Sequence, residues 1–159
     1  MPPFFRPVLL TLTLMIASTS AALSSESKAM MTVKSPSAFD YTTTRERLIK
    51  SVADNGLVLF GEFDHAKAAQ NAGLSMPPTT VLVFGNPKGG TPLMLAHPDL
   101  ALDLPFRVLI SQQPDGKTLV SYHTAEALQR YGLSSGSITA LKKLEQLVQH
   151  SIVSPGASK

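Results

Sequence analysis

The 159-residue chain has no cysteine and no tryptophan. Without a thiol it cannot form a disulfide framework, a thiolate nucleophile, or a cysteine-ligated zinc or iron–sulfur centre, so stability has to come from packing. Aromatic residues are few, at 6%, which leaves few platforms for stacking single-stranded bases. Charge is also sparse. Charged residues make up 16% of the chain, the formal net charge is only +3, and the basic residues are scattered, with Lys142 and Lys143 as the one adjacent pair. Nucleic acid selects a stripe or patch of Lys and Arg, and its absence argues against nucleic acid as a partner. Hydrophobic residues, at 43%, are ample for one domain with a core, which excludes a mainly disordered chain.

Long apolar runs are likewise missing, apart from one at the N-terminus. Residues 1–22 combine Arg6, an apolar stretch over Val8–Ala17, and small residues up to Ala22. A membrane-spanning helix needs about 20 apolar residues, and this run is roughly half that length. The pattern is that of a cleaved signal peptide. With no cysteine to carry a lipid, it predicts export to a periplasm, or secretion, with no stable membrane anchor after cleavage. The expected organisation is a signal peptide over 1–22, a flexible lead-in over 23–28, a single domain over 29–153 and a disordered tail over 154–159.

The stretch that organises the domain is Thr79–Ser111, in which the apolar runs Val81–Phe84 and Phe106–Ile110 read as two core strands. Further strands are expected around Met31–Val33, at Leu57–Phe63 and at Thr118–His123. The last of these follows the turn Pro114-Asp115-Gly116-Lys117. In the second strand, strict alternation places Leu57, Leu59 and Phe63 on one side. Tyr41–Asn55 has one apolar face and predicts a helix. So does the stripe Ile138, Leu141, Leu144, Val148 and Ile152, with Ser137 as its start. Asp64 should cap a short helix over His65–Ala72. Gly85–Gly90 reads as a loop before a helical turn capped by Thr91, and Thr124 reads as the cap of another short helix. The order is β-α-β-β-β-β-α. Without repeated βα units, it predicts an α+β fold with an antiparallel sheet and helices on one face.

Phe63-Asp64-His65-Ala66, Pro78–Pro87, Gly90-Thr91-Pro92-Leu93-Met94, Leu102–Pro105 with Arg107, Asp115-Gly116-Lys117 and Tyr122 form a set of motifs spread from roughly Thr32 to Leu147. Together they resemble the family called domain of unknown function 302. The resemblance implies a compact α+β fold akin to the TATA-box-binding-protein-like class, and self-association. It implies no reaction, and a fold shared with a DNA binder carries no function with it.

Candidate chemistry is thin. Gly85-Asn-Pro-Lys-Gly-Gly-Thr lacks the Lys-after-Gly order of a Walker loop. A weaker anion site at free amides near Thr91, with Lys88 beside it, is one expectation. Asp64-His65 could tune a general base, although capping is the commoner use of such a junction. Arg107 could meet an anion bidentately, or pair with Asp103 or Glu62. Glu62-x-x-His65 is half of a di-iron ligand pattern and stands alone, so neither a metal nor a cofactor is expected. The methionines, Met76 and Met94 among them, suit either core or a soft apolar pocket. The candidate ligand-binding set is therefore Asp64, His65, Asn86, Lys88, Arg107 and Tyr122. The expected function is an exported small-molecule-binding or protein-interaction module, with a homodimer as the expected assembly. The alternative is a hydrolase- or isomerase-like enzyme using His65 with Asp64.

Overall fold

A computed structural model describes residues 32–154. The expected signal peptide and lead-in, Met30 and Met31, and the expected tail beyond Ser154 lie outside the described residues. The first strand therefore begins, as described, at Thr32. The chain runs β1 (Thr32–Pro36), α1 (Tyr41–Asp54), β2 (Val58–Asp64), α2 (His65–Asn71), β3 (Thr79–Gly85), α3 (Pro87–Ala96), a 3₁₀ segment over Pro98–Leu102, β4 (Phe106–Gln112), β5 (Thr118–His123), a second 3₁₀ segment over Ala125–Tyr131, and α4 (Ser135–Ile152). Five antiparallel strands form one sheet in the order β1-β5-β4-β3-β2. The two apolar runs of the organising stretch pair directly, with Val83 opposite Arg107 and Phe84 opposite Phe106.

Alternation along the strands decides which face is covered. Leu82 and Phe84 of β3, Val108 and Ile110 of β4, and Val120 of β5 are buried, while their neighbours Val81, Val83, Leu109 and Leu119 are only half-buried. The buried set meets Leu48 and Val52 of α1 and Val148 and Ile152 of α4. The rings of Phe84 and Phe106 meet edge to face with centroids 5.7 Å apart, and Phe106 leans on Tyr122 at 5.6 Å. Polar contacts lock α1 to α4. Arg47 Nε donates to the Ser151 carbonyl at 2.9 Å, and Ser151 Oγ donates to Ser51 Oγ at 2.8 Å. A second, smaller core of Leu100, Leu104, Ala125, Leu128 and Ile138 joins the two 3₁₀ segments to the start of α4.

Four local expectations are corrected. In β2 the register slips between Leu59 and Gly61. This bulge inserts one residue, so Leu59 pairs with inward-facing Phe84 while Phe63 pairs with outward-facing Val81, on opposite faces of the sheet. The Gly85–Gly90 loop is largely helix. α3 starts at Pro87 with Asn86 as its cap, so Thr91 lies within the helix. Asn86 Oδ1 accepts from the Lys88 amide at 3.0 Å, and Pro87 at the first helical position loses no bond by lacking an N–H. The last helix starts at Ser135, capped by Ser134 rather than Ser137. Thr124 sits at a helix start but its hydroxyl makes no capping bond and is buried without a partner. Glu145 of α4 reaches across and accepts the Ala125 amide instead, at 2.6 Å.

Candidate functional site

The end of β3 and the start of α3 form one wall of an apolar cavity of about 270 Å³. Gly85 and Pro87 come from that junction, and Leu93 and Met94 from the body of α3. Leu57 and Phe60 come from the approach to β2 and from its bulge, Pro105 and Phe106 from the start of β4, and Ala140, Leu141, Lys143 and Leu144 from α4. The sequence explains why space remains here. Gly85 has no side chain, and a Cβ at that position would come within 3.6 Å of Pro105 and 3.9 Å of Phe60, which is ordinary contact. Gly90 is similar, with only the Met94 terminal methyl at 3.9 Å. Two glycines thus leave a gap where side chains from three elements would otherwise meet. The bulge in β2 turns Phe60 into the wall of the same space.

The start of α3 does not offer free amides. The Lys88 amide donates to the Asn86 side chain, and the Gly89 and Gly90 amides donate to the Asn86 carbonyl at 3.1 and 2.8 Å. The expected anion site near Thr91 therefore lacks its donors. What remains are side-chain donors on or next to the lining. Lys143 lines the cavity, Asn86 lines it with its Nδ2 unengaged among the described residues, and Lys88 lies between the lining residues Pro87 and Gly89.

The remaining sequence candidates do not converge on this cavity. Asp64 is opposite Thr80, near the start of β3, whereas Asn86 follows its end. Six strand positions separate them, about 20 Å at the rise of an extended chain. Asp64 caps α2 by accepting the Lys67 amide at 2.8 Å, and it borders an open, mixed-polarity groove with Tyr41, Lys67 and Gln70. His65 is exposed and has no hydrogen bond among the described residues. Arg107 projects from the open face and donates to the Leu102 carbonyl at 2.5 Å. It makes no ion pair because both expected partners are taken. Glu62 forms a two-point pair with Arg45, and Asp103 holds Arg130 and the Tyr131 hydroxyl. Tyr122 is part of the core, its hydroxyl accepting from Gln149 Nε2 at 2.8 Å, and burial pushes its pKa above the ordinary tyrosine value. Among the described residues no group of three or more acidic or histidine side chains could hold a metal.

The cavity itself was not read from the sequence. Its lining comes from four separated segments, of which the sequence candidates touched only Asn86, with Met94 a methionine suited to a soft apolar pocket.

Comparison with known proteins adds the following. A family model described as "Domain of unknown function DUF302" matches residues 31–151. Proteins of Brucella suis and Brucella abortus named as fluoride-specific ion channels are each 36% identical over 102 residues, 64% of this chain. The match spans only 40% and 38% of those channels' own length. Among the described residues of this chain, no helix is long and apolar enough to cross a membrane. A solved structure of an uncharacterized conserved DUF302 protein from Bacillus stearothermophilus aligns with a TM-score of 0.64 at 18% identity, over 78% of this chain and 97% of that one. At that identity the likeness shows the fold alone.

Proposed function

This chain belongs to the family described as domain of unknown function DUF302, and from that premise we propose that it is an exported, non-enzymatic module that binds a small apolar ligand in the cavity between β3, α3 and α4. The observation that carries this is the cavity: a concave, apolar space with a few polar groups at its mouth is the usual form of a small-molecule site. The enzyme alternative has less support, because the Asp64 carboxylate is engaged with the Lys67 amide and His65 faces solvent without a partner to orient it. Native mass spectrometry of protein purified from its own host tests the proposal. A small adduct released on denaturation, and absent from Ala140→Phe protein, is expected. An adduct-free spectrum, or an adduct indifferent to that substitution, contradicts it. Export is tested by N-terminal sequencing, with a mature start at Leu23 expected and an intact Met1 on a cytoplasmic product contradicting it.

A second reading, as a protein-interaction module, is favoured by strand β2. Val58, Leu59, Phe60 and Phe63 are all large, apolar and at least 36% exposed on one sheet edge. An edge of that kind is a template for pairing with another chain, whether a second copy or a partner. The Brucella relatives, much longer and named as channels, favour a partner in the envelope. Size-exclusion chromatography with light scattering separates the two: a dimer mass lost in Phe63→Lys protein supports pairing between copies, and a monomer at all concentrations leaves the edge to a different partner.

A further inference from the structure

We propose that the ligand of this cavity is a free short-chain carboxylic acid, with its acyl chain inside and its carboxylate at the mouth. The inference rests on the binding reading above and names its ligand class. The interior favours apolar groups, since Leu57, Phe60, Leu93 and Leu144 offer no hydrogen-bonding side-chain atom and Met94 only a weakly accepting thioether. The volume of about 270 Å³ lies just below the ~300–1,000 Å³ of sites for drug-sized molecules. It suits one chain of modest length and not a two-chain lipid.

The mouth sets the sign of the head group. No Asp or Glu lines the cavity, whereas Lys143 and Asn86 do and Lys88 stands between two lining residues. Neither Lys88 nor Lys143 has an ion-pair partner among the described residues. Neighbours differ in this, as Lys142 pairs with Glu126 while Lys143 faces the cavity unpaired. The helix-start amides are already engaged with Asn86. An anion is therefore held by side chains, through Lys Nζ and Asn86 Nδ2. A carboxylate presents acceptors only, matching the donors that Lys143 and the Asn86 amide nitrogen bring to the lining.

Isothermal titration calorimetry on the whole chain, with octanoate and octan-1-ol as probes at low salt, tests this. Octanoate is expected to bind about tenfold or more tightly than octanol, the increment of a charge-assisted hydrogen bond. From hexanoate to octanoate, affinity should rise about fourfold per methylene, the increment for a buried CH₂ group. The Lys88→Gln/Lys143→Gln double variant should bring octanoate down to octanol's affinity and leave octanol unchanged. Both lysines are exposed, so the fold should tolerate the change. Ala140→Phe, at an exposed helical position that lines the cavity, should abolish both with the melting temperature unchanged. Equal affinity for octanol and octanoate overturns the carboxylate assignment while leaving the cavity as a binding site. Failure of both probes overturns the cavity reading as well. Sedimentation with phosphatidylglycerol vesicles distinguishes the source of the chain: protein left in the supernatant supports a free acid, and lysine-dependent pelleting overturns it in favour of a membrane-held chain.

Discussion

Strands β1 and β2 close opposite edges of the same sheet, and each exposes a row of backbone groups with no strand neighbour among the described residues. β1, as described from Thr32, carries exposed Lys34 and ends at Pro36, and its inward-facing Ser35 is bonded by Gln149 of α4. A lysine and a proline are the usual means of discouraging a further strand from joining an edge. β2 has seven residues, none of them buried, and shows Val58, Leu59, Phe60 and Phe63 to solvent. Its only irregularity is the bulge that turns Phe60 toward the cavity. The α2 helix that follows also has no buried residue. One edge is thus closed off and tied to the core, while the other is left open beside the cavity. The difference teaches that the two edges of one small sheet are built unequally, with β1 tied to α4 and β2 left open, while β3, the start of β4 and α4 supply both the core and walls of the cavity.

The comparison can be broken by mutation. Phe84→Ala removes a fully buried ring that meets Phe106 edge to face. Chemical denaturation should show a loss of about 3–5 kcal/mol. Phe63→Ala, an equal deletion on the open edge where the ring is 56% exposed, should cost less than ~1 kcal/mol, as surface changes usually do. Similar losses at the two sites would mean that β2 is as much core as β3.

Between these extremes lies the cap of α2. Asp64→Ala removes the acceptor of the Lys67 amide and should cost about 1 kcal/mol. Since α2 buries nothing, hydrogen exchange should show it opening well below the global stability, ahead of α4. Simultaneous exchange of α2 and α4 would contradict the division of the sheet.

Smaller still is the effect of Arg45→Gln, which breaks the pair with Glu62 that joins α1 to β2. Both side chains are partly exposed, at 33% and 26%, and a loss under ~1 kcal/mol is expected. The exposed pairs also set a pH window. Hydrogen bonding to the Thr43 amide lowers the Asp40 pKa from 3.8, and hydrogen bonding to Lys142 lowers that of Glu126 from 4.5. Their stabilisation is present above those values and is lost as pH falls through the lowered ones. Tyr122 acts at the other end. Burial raises its pKa above 10.0, so its contribution is present below pH 10 and lost as pH rises through the raised value. Denaturation midpoints measured from pH 2 to 11 should fall at both ends. In Tyr122→Phe protein the alkaline fall should shrink.

Much of the fold could be read from the residues because it follows from local rules. The pairing of Val81–Phe84 with Phe106–Ile110, the Pro114–Lys117 turn and the α4 stripe depend on hydrophobic alternation and turn chemistry close in sequence. The bulge at Phe60 could not be read so, because period-2 patterning gives no sign of one inserted residue. Gly89-Gly90 looked like a loop because glycine disfavours helix, yet the Asn86 cap and Pro87 outweigh that cost. The candidate residues Asp64, His65, Arg107 and Tyr122 were chosen for their chemistry, and tertiary structure placed them at separate positions. The cavity escaped notice because its walls meet only after β3, β4 and α4 have packed.

The most direct test of the binding site is an amide NMR map of the whole chain titrated with octanoate. Shifts confined to residues 57–60, 85–94, 104–106 and 140–144, with the groove bordered by Asp64, Lys67 and Ser75 unmoved, are the expected result. Shifts centred on that groove, or none at saturating octanoate, would contradict the account.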